Sequence, residues 1–144
     1  MKKILVASHG HLAGGVKSVA KILLHDDSAI TAVNCYVDES DPGEKIRAFI
    51  DGVEPQDEAL IFTDLLGGSV CNMVTAMRPE RKGIIHVTGF NLAVILKCLI
   101  STDRLTPEAI DSIIGTASTL MKRIELSDAP TEESDAEEED GFFM

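Results

Sequence analysis

His9 and Asp64 hold matching positions, since each ends a short apolar run and is soon followed by glycine. The runs 3–8 and 58–63 that precede them have the length and composition of buried strands. In a parallel α/β sheet, the carboxyl ends of the strands are where ligands and catalytic groups gather. A carboxylate that accepts the Nδ1 proton of a histidine fixes the tautomer and leaves a lone pair on Nε2. The two residues therefore predict a histidine nucleophile, His9, oriented by Asp64.

Gly67, Gly68 and Ser69 follow Asp64 and lead into a predicted helix. Glycines allow close backbone approach, and the free N–H groups and dipole of a helix start favour an anion. An imidazole beside such a helix start suits a phosphoryl group carried on nitrogen. The sequence has no Walker pattern, which argues against nucleotide hydrolysis. A lone histidine or a glycine pair is common in ordinary loops, so the hypothesis depends on the two strand ends meeting.

The remaining histidines offer an alternative that we weigh against phosphoryl chemistry. A metal site could be built from His9, His11 and Asp64, but it would leave the adjacent glycines unexplained. His11 is expected to face solvent, His25 to lie near a helix C-terminus, and His86 to pack within a strand. We therefore predict no metal ion and no cofactor.

Composition indicates one domain with a substantial core, because 44% of the 144 residues are hydrophobic. No apolar run approaches the roughly 18 residues that span a bilayer, and the start of the chain does not resemble a signal peptide. A cytoplasmic protein is the expectation. The three cysteines, Cys35, Cys71 and Cys98, are far apart. They predict neither disulfides nor zinc, and we expect each to pack as a small apolar side chain.

The net charge of −11 is unevenly distributed along the chain. Residues 128–144 hold eight of the 24 acidic residues and no basic one, which leaves 16 acidic and 13 basic residues elsewhere. We interpret residues 1–127 as the folded domain and residues 128–144 as an acidic, disordered tail. The folded part lacks the basic stripe that nucleic-acid binding requires, so no nucleic-acid partner is predicted.

Strand and helix patterns alternate along the chain, which predicts a doubly wound, mostly parallel sheet of order 2-1-3-4 with helices on both faces. The predicted strands are 3–8, 29–37, 58–64 and 83–88, and the predicted helices are 12–24, 44–51, 69–77, 91–100 and 107–118. Ser69 and Thr106 are predicted N-caps. Gly14 and Gly15 predict close packing or the approach of a partner. Residues 120–126 could extend the last helix or form an edge strand.

Three motifs resemble those of the enzyme IIA component of mannose-type sugar phosphotransferase systems. They are SHG at residues 8–10, TDLLGGS at residues 63–69 with Asn72 following, and TGFNL at residues 88–92. The motifs occur in the family's order, and the resemblance covers about residues 2–126. The chain departs from the family's pattern at Leu66, where an aromatic residue is frequent, and at Val70 and Ala93, where proline is frequent.

The resemblance implies a phosphocarrier. His9 would accept a phosphoryl group on Nε2 from the phosphocarrier protein HPr and pass it to a histidine of a IIB domain, here on a separate chain. Asp64 would orient His9, and Gly67, Gly68 and Ser69 would hold the phosphoryl oxygens. The family fold is typically dimeric, with a final strand that can be exchanged between subunits, and residues 120–126 are the candidate for it. The membrane components IIC and IID would select the sugar, and they would be only indirect partners of this chain.

Two other functions stay open at this point. The phosphoryl-carrier subunit of dihydroxyacetone kinase shares the fold and the histidine, but its signature after the third strand resembles DLGS, two residues shorter than here. A regulatory module could also be phosphorylated by HPr and pass nothing on. Transfer to a IIB domain and dihydroxyacetone kinase activity are the properties that separate the three.

Overall fold

The computed structural model describes residues 1–128 as a four-stranded parallel sheet flanked by helices. The strands are β1 (Lys2–His9), β2 (Ile30–Cys35), β3 (Glu58–Thr63) and β4 (Ile85–Thr88). The helices are α1 (Leu12–Leu24), α2 (Pro42–Asp51), α3 (Ser69–Ala76), α4 (Leu92–Ile100) and α5 (Pro107–Ser118), with 3-10 turns at Pro79–Lys82 and Leu126–Asp128. The sheet order β2-β1-β3-β4 confirms the predicted topology.

The sheet is buried on both faces because β1 and β3 alternate apolar side chains between two separate cores. Ile4 and Phe62 belong to the core that packs against α1, α4 and α5. Leu5 and Ile61 belong to the opposite core, which packs against α2 and α3. All four side chains are fully buried. The central strands are thereby fixed in position, and so are the residues that follow them.

The register of the strands brings the first and third strand ends together. Ala7 of β1 is paired with Thr63 of β3, so His9 and Asp64 emerge at the same edge of the sheet. On the other side of β1, His9 is paired with Cys35, the last residue of β2. Three loops therefore converge on one point, which is the switch between the two winding directions of the sheet.

The two glycines of α1 have different surroundings. The N–H of Gly14 donates to Oδ1 of Asn34 at 2.9 Å, and a Cβ at Gly14 would lie 3.0 Å from the Asn34 side-chain nitrogen. Close packing was one of the two predictions for this pair, and it is confirmed at Gly14. A Cβ at Gly15 would meet nothing within 4 Å.

Of the two predicted N-caps, one is confirmed and the other is wrong. Thr106 caps α5, its Oγ1 accepting from the Ala109 N–H at 3.1 Å, as predicted. Ser69 was predicted to cap α3, and that is wrong, because the cap is Gly68 and no side chain caps this helix. Ser69 is the first helical residue, and its hydroxyl bonds His9 and Tyr36 instead.

Residues 120–125 adopt neither of the two predicted forms, since in this single chain they are neither helical nor paired with a strand. Leu120, Met121 and Ile124 are exposed in this segment. Exchange between subunits remains a prediction. Nearly all of the acidic tail, residues 129–144, lies outside the described part of the chain. No helix within residues 1–128 is long and apolar enough to cross a membrane.

Candidate functional site

His9 and Asp64 are in direct contact at the edge of the sheet. Nδ1 of His9 lies 2.8 Å from Oδ2 of Asp64, and the same oxygen accepts the backbone N–H of His9 at 2.8 Å. The Asp64 side chain is 9% exposed and the His9 side chain 43% exposed. The carboxylate therefore lies behind the ring, and the ring's other edge faces outward.

The Asp64 carboxylate is stabilised in its ionised form. Burial raises the pKa of Asp64, but the backbone and ring hydrogen bonds from His9 outweigh it and leave the pKa below its usual value. Its second oxygen, Oδ1, accepts the Leu65 N–H at 3.0 Å. Because an ionised carboxylate only accepts hydrogen bonds, Nδ1 of His9 carries the proton. In the neutral ring, Nε2 then holds the free lone pair that nucleophilic attack requires.

Ser69 and Tyr36 lie beside the exposed edge of the ring. Oγ of Ser69 lies 3.1 Å from Nε2 of His9, and the Tyr36 hydroxyl donates to Oγ of Ser69 at 3.0 Å. The Tyr36 and His9 rings are 5.5 Å apart between centroids, tilted by 45°. Ser69 was a predicted site residue, whereas Tyr36 was missed. The apolar pattern carried the predicted second strand through Val37, so nothing in it marked Tyr36 as a residue that turns back towards His9.

Gly67 and Gly68 form the turn that brings α3 beside the ring. Gly67 has a φ of 78°, in the region that favours glycine. A Cβ at Gly68 would lie 3.2 Å from the Leu65 carbonyl oxygen and 3.6 Å from Cε1 of His9. The Gly68 N–H donates to that Leu65 oxygen at 3.0 Å. The N–H of Ser69 begins α3, and the first N–H groups of a helix have no partner within it.

The loop is held from behind by side chains that do not reach the exposed face. Asn72 donates from Nδ2 to the Gly67 carbonyl oxygen at 3.2 Å. Buried Thr63, just before Asp64, donates to Oγ1 of Thr88 at 2.8 Å and lies 2.8 Å from Nε2 of His86. Burial lowers the pKa of His86, more than Glu80 raises it. His86 is thus a packed strand residue, as predicted.

His11 and His25 are not part of this centre. His11 is exposed, with Nδ1 3.4 Å from Nδ2 of Asn34, and His25 ends α1. Within residues 1–128, no three histidine, cysteine or acidic side chains are grouped so as to hold a metal ion. All three cysteines are buried and unpaired, which confirms their predicted packing.

The rim of the site is apolar on the side of the β3–α3 loop. Leu65 is 60% exposed and Leu66 is 84% exposed, directly before the glycine pair. Exposed leucines in the loop that leads to this site form a surface on which another protein could dock. The arrangement as a whole can carry a phosphoryl group on Nε2, with an anion-favouring helix start beside it and a carboxylate behind it.

Comparison with known proteins gives a family match over most of the chain. The family model EIIA-man, described as the fructose IIA component of the phosphotransferase system (PTS), matches residues 3–114. No curated protein matches this chain in sequence.

Solved structures with the same fold come from several bacteria. A Klebsiella pneumoniae protein described as a phosphoenolpyruvate-dependent sugar PTS permease is 26% identical, with a TM-score of 0.79, and the match covers 89% of this chain and 94% of that one. The mannose/sorbose-specific IIA subunit of Enterococcus faecalis is 24% identical, with a TM-score of 0.70, covering 88% and 97%. A PTS component EIIA of Streptococcus agalactiae is 22% identical, with a TM-score of 0.71, covering 90% and 100%.

Proposed function

Since this chain belongs to the EIIA-man family of PTS IIA components, we propose that it is a phosphocarrier that uses His9. Family membership supports a role in sugar phosphotransfer in general. The finer proposal is that Nε2 of His9 accepts a phosphoryl group from phosphorylated HPr and passes it to a IIB domain. The observation that carries it is the 2.8 Å contact of Nδ1 with Asp64, which leaves Nε2 at the exposed edge of the ring.

The chemistry is a displacement between two nitrogen atoms. The lone pair of Nε2 on His9 forms a bond to phosphorus as the bond between phosphorus and the donor imidazole breaks, and that bonding pair returns to the donor nitrogen. Nδ1 keeps its proton throughout, so the phosphorylated ring is a cation. The ionised Asp64 carboxylate, 2.8 Å away, stabilises this cation. Transfer to the IIB histidine repeats the same exchange in the opposite direction.

The phosphoryl oxygens need donors on the exposed side of the ring. Gly67, Gly68 and Ser69 supply the turn and helix start at that position, and the helix dipole favours the negative charge. The Ser69 hydroxyl, 3.1 Å from Nε2, is within reach of a group bonded there. The Ser69 hydroxyl and the first-turn amides of α3 are the donors that we expect to bind the phosphoryl oxygens.

The apolar rim supports the docking of partner proteins. HPr and then IIB would cover Leu65 and Leu66, whose side chains are exposed in the loop between Asp64 and Gly67. A homodimer is also part of the proposal, with residues 120–126 exchanged between subunits, because their apolar side chains are exposed in the single chain. The proposal puts the protein in the cytoplasm, with IIC and IID reached only through IIB.

The test is the mass of the intact protein after incubation with phosphoenolpyruvate, enzyme I and HPr. Wild type is expected to gain one phosphoryl group, His9→Ala none, and the matched control His11→Ala one, because His11 is exposed only two residues away. Failure of wild type to gain mass while HPr is phosphorylated would contradict the proposal. Addition of a IIB domain to the phosphorylated wild type should remove the phosphoryl group. Retention of that group would favour the regulatory module instead.

A further inference from the structure

The Tyr36 hydroxyl, the Ser69 hydroxyl and the His9 imidazole form a continuous series of hydrogen bonds. Because Nδ1 of His9 donates to Asp64, Nε2 is an acceptor, and the Ser69 hydroxyl 3.1 Å away donates to it. The Tyr36 hydroxyl donates to the same Ser69 oxygen at 3.0 Å. Each proton of the series therefore points towards His9. Asp64 fixes this direction by making Nε2 the acceptor, and Tyr36 reinforces it, since its O–H occupies the Ser69 oxygen and leaves the Ser69 hydroxyl to donate onward.

The backbone of Tyr36 has an uncommon conformation for a residue with a side chain. Its φ is 66°, directly after the last residue of β2. Residues other than glycine are found there infrequently, and such positions concentrate at functional sites. Tyr36 is 56% exposed, so burial in the core does not require this placement. The turn instead brings the ring to 5.5 Å from the His9 ring and the hydroxyl onto Ser69.

We propose, on the basis of the phosphocarrier function above, that Tyr36 is a positioning residue that directs the Ser69 hydroxyl to the phosphoryl group on His9. When the Nε2 lone pair forms its bond to phosphorus, Nε2 can no longer accept a hydrogen bond. Ser69 then turns its O–H to a phosphoryl oxygen. Tyr36 continues to donate to the Ser69 oxygen. Both hydroxyls keep their protons, and only the phosphoryl group is transferred.

The direction of the effect follows from the charges of the two acceptors. Before transfer, Ser69 donates to a neutral imidazole nitrogen, and after transfer it donates to an oxygen of a charged phosphoryl group. Hydrogen bonds to charged acceptors are about twice as strong as those between neutral groups. Loss of the Tyr36 hydroxyl should therefore weaken the phosphorylated state more than the free state, which shifts the equilibrium back towards phosphorylated HPr.

The experiment measures the equilibrium between phosphorylated HPr and this protein by intact mass, for wild type, Tyr36→Phe, Ser69→Ala and the double variant. Phenylalanine keeps the ring beside His9 and removes only the hydroxyl. We expect Tyr36→Phe to lower the equilibrium constant about three- to tenfold in the presence of Ser69, and less than about twofold in the Ser69→Ala background. A change of less than about twofold with Ser69 present, or equal changes in both backgrounds, would overturn the proposal.

A second measurement does not depend on phosphotransfer. The nitrogen-15 chemical shift of Nε2 in unphosphorylated protein reports the hydrogen bond that Ser69 donates to it. Tyr36→Phe should move this shift when Ser69 is present and leave it unchanged in the Ser69→Ala background. An unmoved shift with Ser69 present would mean that Tyr36 does not direct the hydroxyl. If wild type takes up no phosphoryl group, the phosphocarrier function fails, and the nitrogen shift still decides whether Tyr36 orders Ser69.

Discussion

Oδ2 of Asp64 accepts two hydrogen bonds from His9, one from the backbone N–H and one from Nδ1 of the ring, each at 2.8 Å. One oxygen thus fixes both the position of the residue and the rotation of its ring. The carboxylate also selects the tautomer, so that Nε2 alone is left to react. Loss of the carboxylate would therefore affect chemistry more than folding, because the strands beneath it are held by their own cores.

We expect Asp64→Ala to slow the phosphorylation of His9 by about 10²- to 10⁴-fold, because the ring loses its orientation and the charge that stabilises the cation. Asp64→Asn is the matched variant, since it keeps an acceptor near Nδ1 but removes the charge. Rapid-quench mass spectrometry gives the rate, and circular dichroism checks the fold. Phosphorylation of Asp64→Ala at the wild-type rate would show that the carboxylate does not orient His9.

Asp57 should make the free energy of unfolding depend on pH in the acidic range. The hydrogen bond from the Lys3 ammonium and the backbone N–H of Glu54 lower the pKa of Asp57 from 3.8 to about 2. A lowered pKa gives stability that is present above the unfolded-state pKa and is lost as the pH falls to about 2. Asp57→Asn should therefore be less stable than wild type at pH 7 and equally stable near or below pH 2.

Urea unfolding across this pH range measures the difference between the two proteins. Asp111→Asn, at an exposed position of α5, is the control for the removal of an aspartate. A difference between wild type and Asp57→Asn that stays constant from pH 7 to about 2 would contradict the linkage to Asp57.

The two glycines of α1 should respond oppositely to alanine. Gly15→Ala is expected to raise the free energy of unfolding by about 0.5–1 kcal/mol, because a Cβ there meets open space and alanine favours helix. The free energy of unfolding of Gly14→Ala should be about 1 kcal/mol lower than that of Gly15→Ala, because the added Cβ would lie 3.0 Å from the Asn34 side chain. Urea unfolding of the two variants measures this difference. Equal stabilities would show that the Asn34 side chain moves aside without cost.

Deletion of residues 128–144 is expected to leave the rate of His9 phosphorylation unchanged, since every group assigned to the site lies in the preceding part of the chain. The rate with HPr is measured for the full chain and the truncated chain under the same conditions. Because the removed segment carries eight acidic residues, low and high salt should be compared. A large loss of rate on deletion would make the tail part of the surface that HPr contacts.

Sequence patterns were sufficient to predict the order of the strands and the meeting of His9 with Asp64 at the edge of the sheet. The apolar runs before His9 and Asp64 have the length and composition of buried parallel strands, and the predicted strand order brings the two residues together. Ser69 was predicted at the site, but the further prediction that it caps α3 was wrong, because a serine before a helical run resembles an N-cap even where its hydroxyl has another partner. Tyr36 could not be found, since a positive φ outside glycine has no signature in composition or periodicity.

The contact of Asp64 with Nδ1 of His9 limits how partner proteins can reach the ring. Asp64 blocks Nδ1, so both the donor and the acceptor of a phosphoryl group must reach Nε2 from the same outer face. For a phosphocarrier, the two partners then compete for one surface and cannot be bound together. For the phosphocarrier proposed here, ping-pong kinetics is the expected result, with each partner inhibiting the other at high concentration.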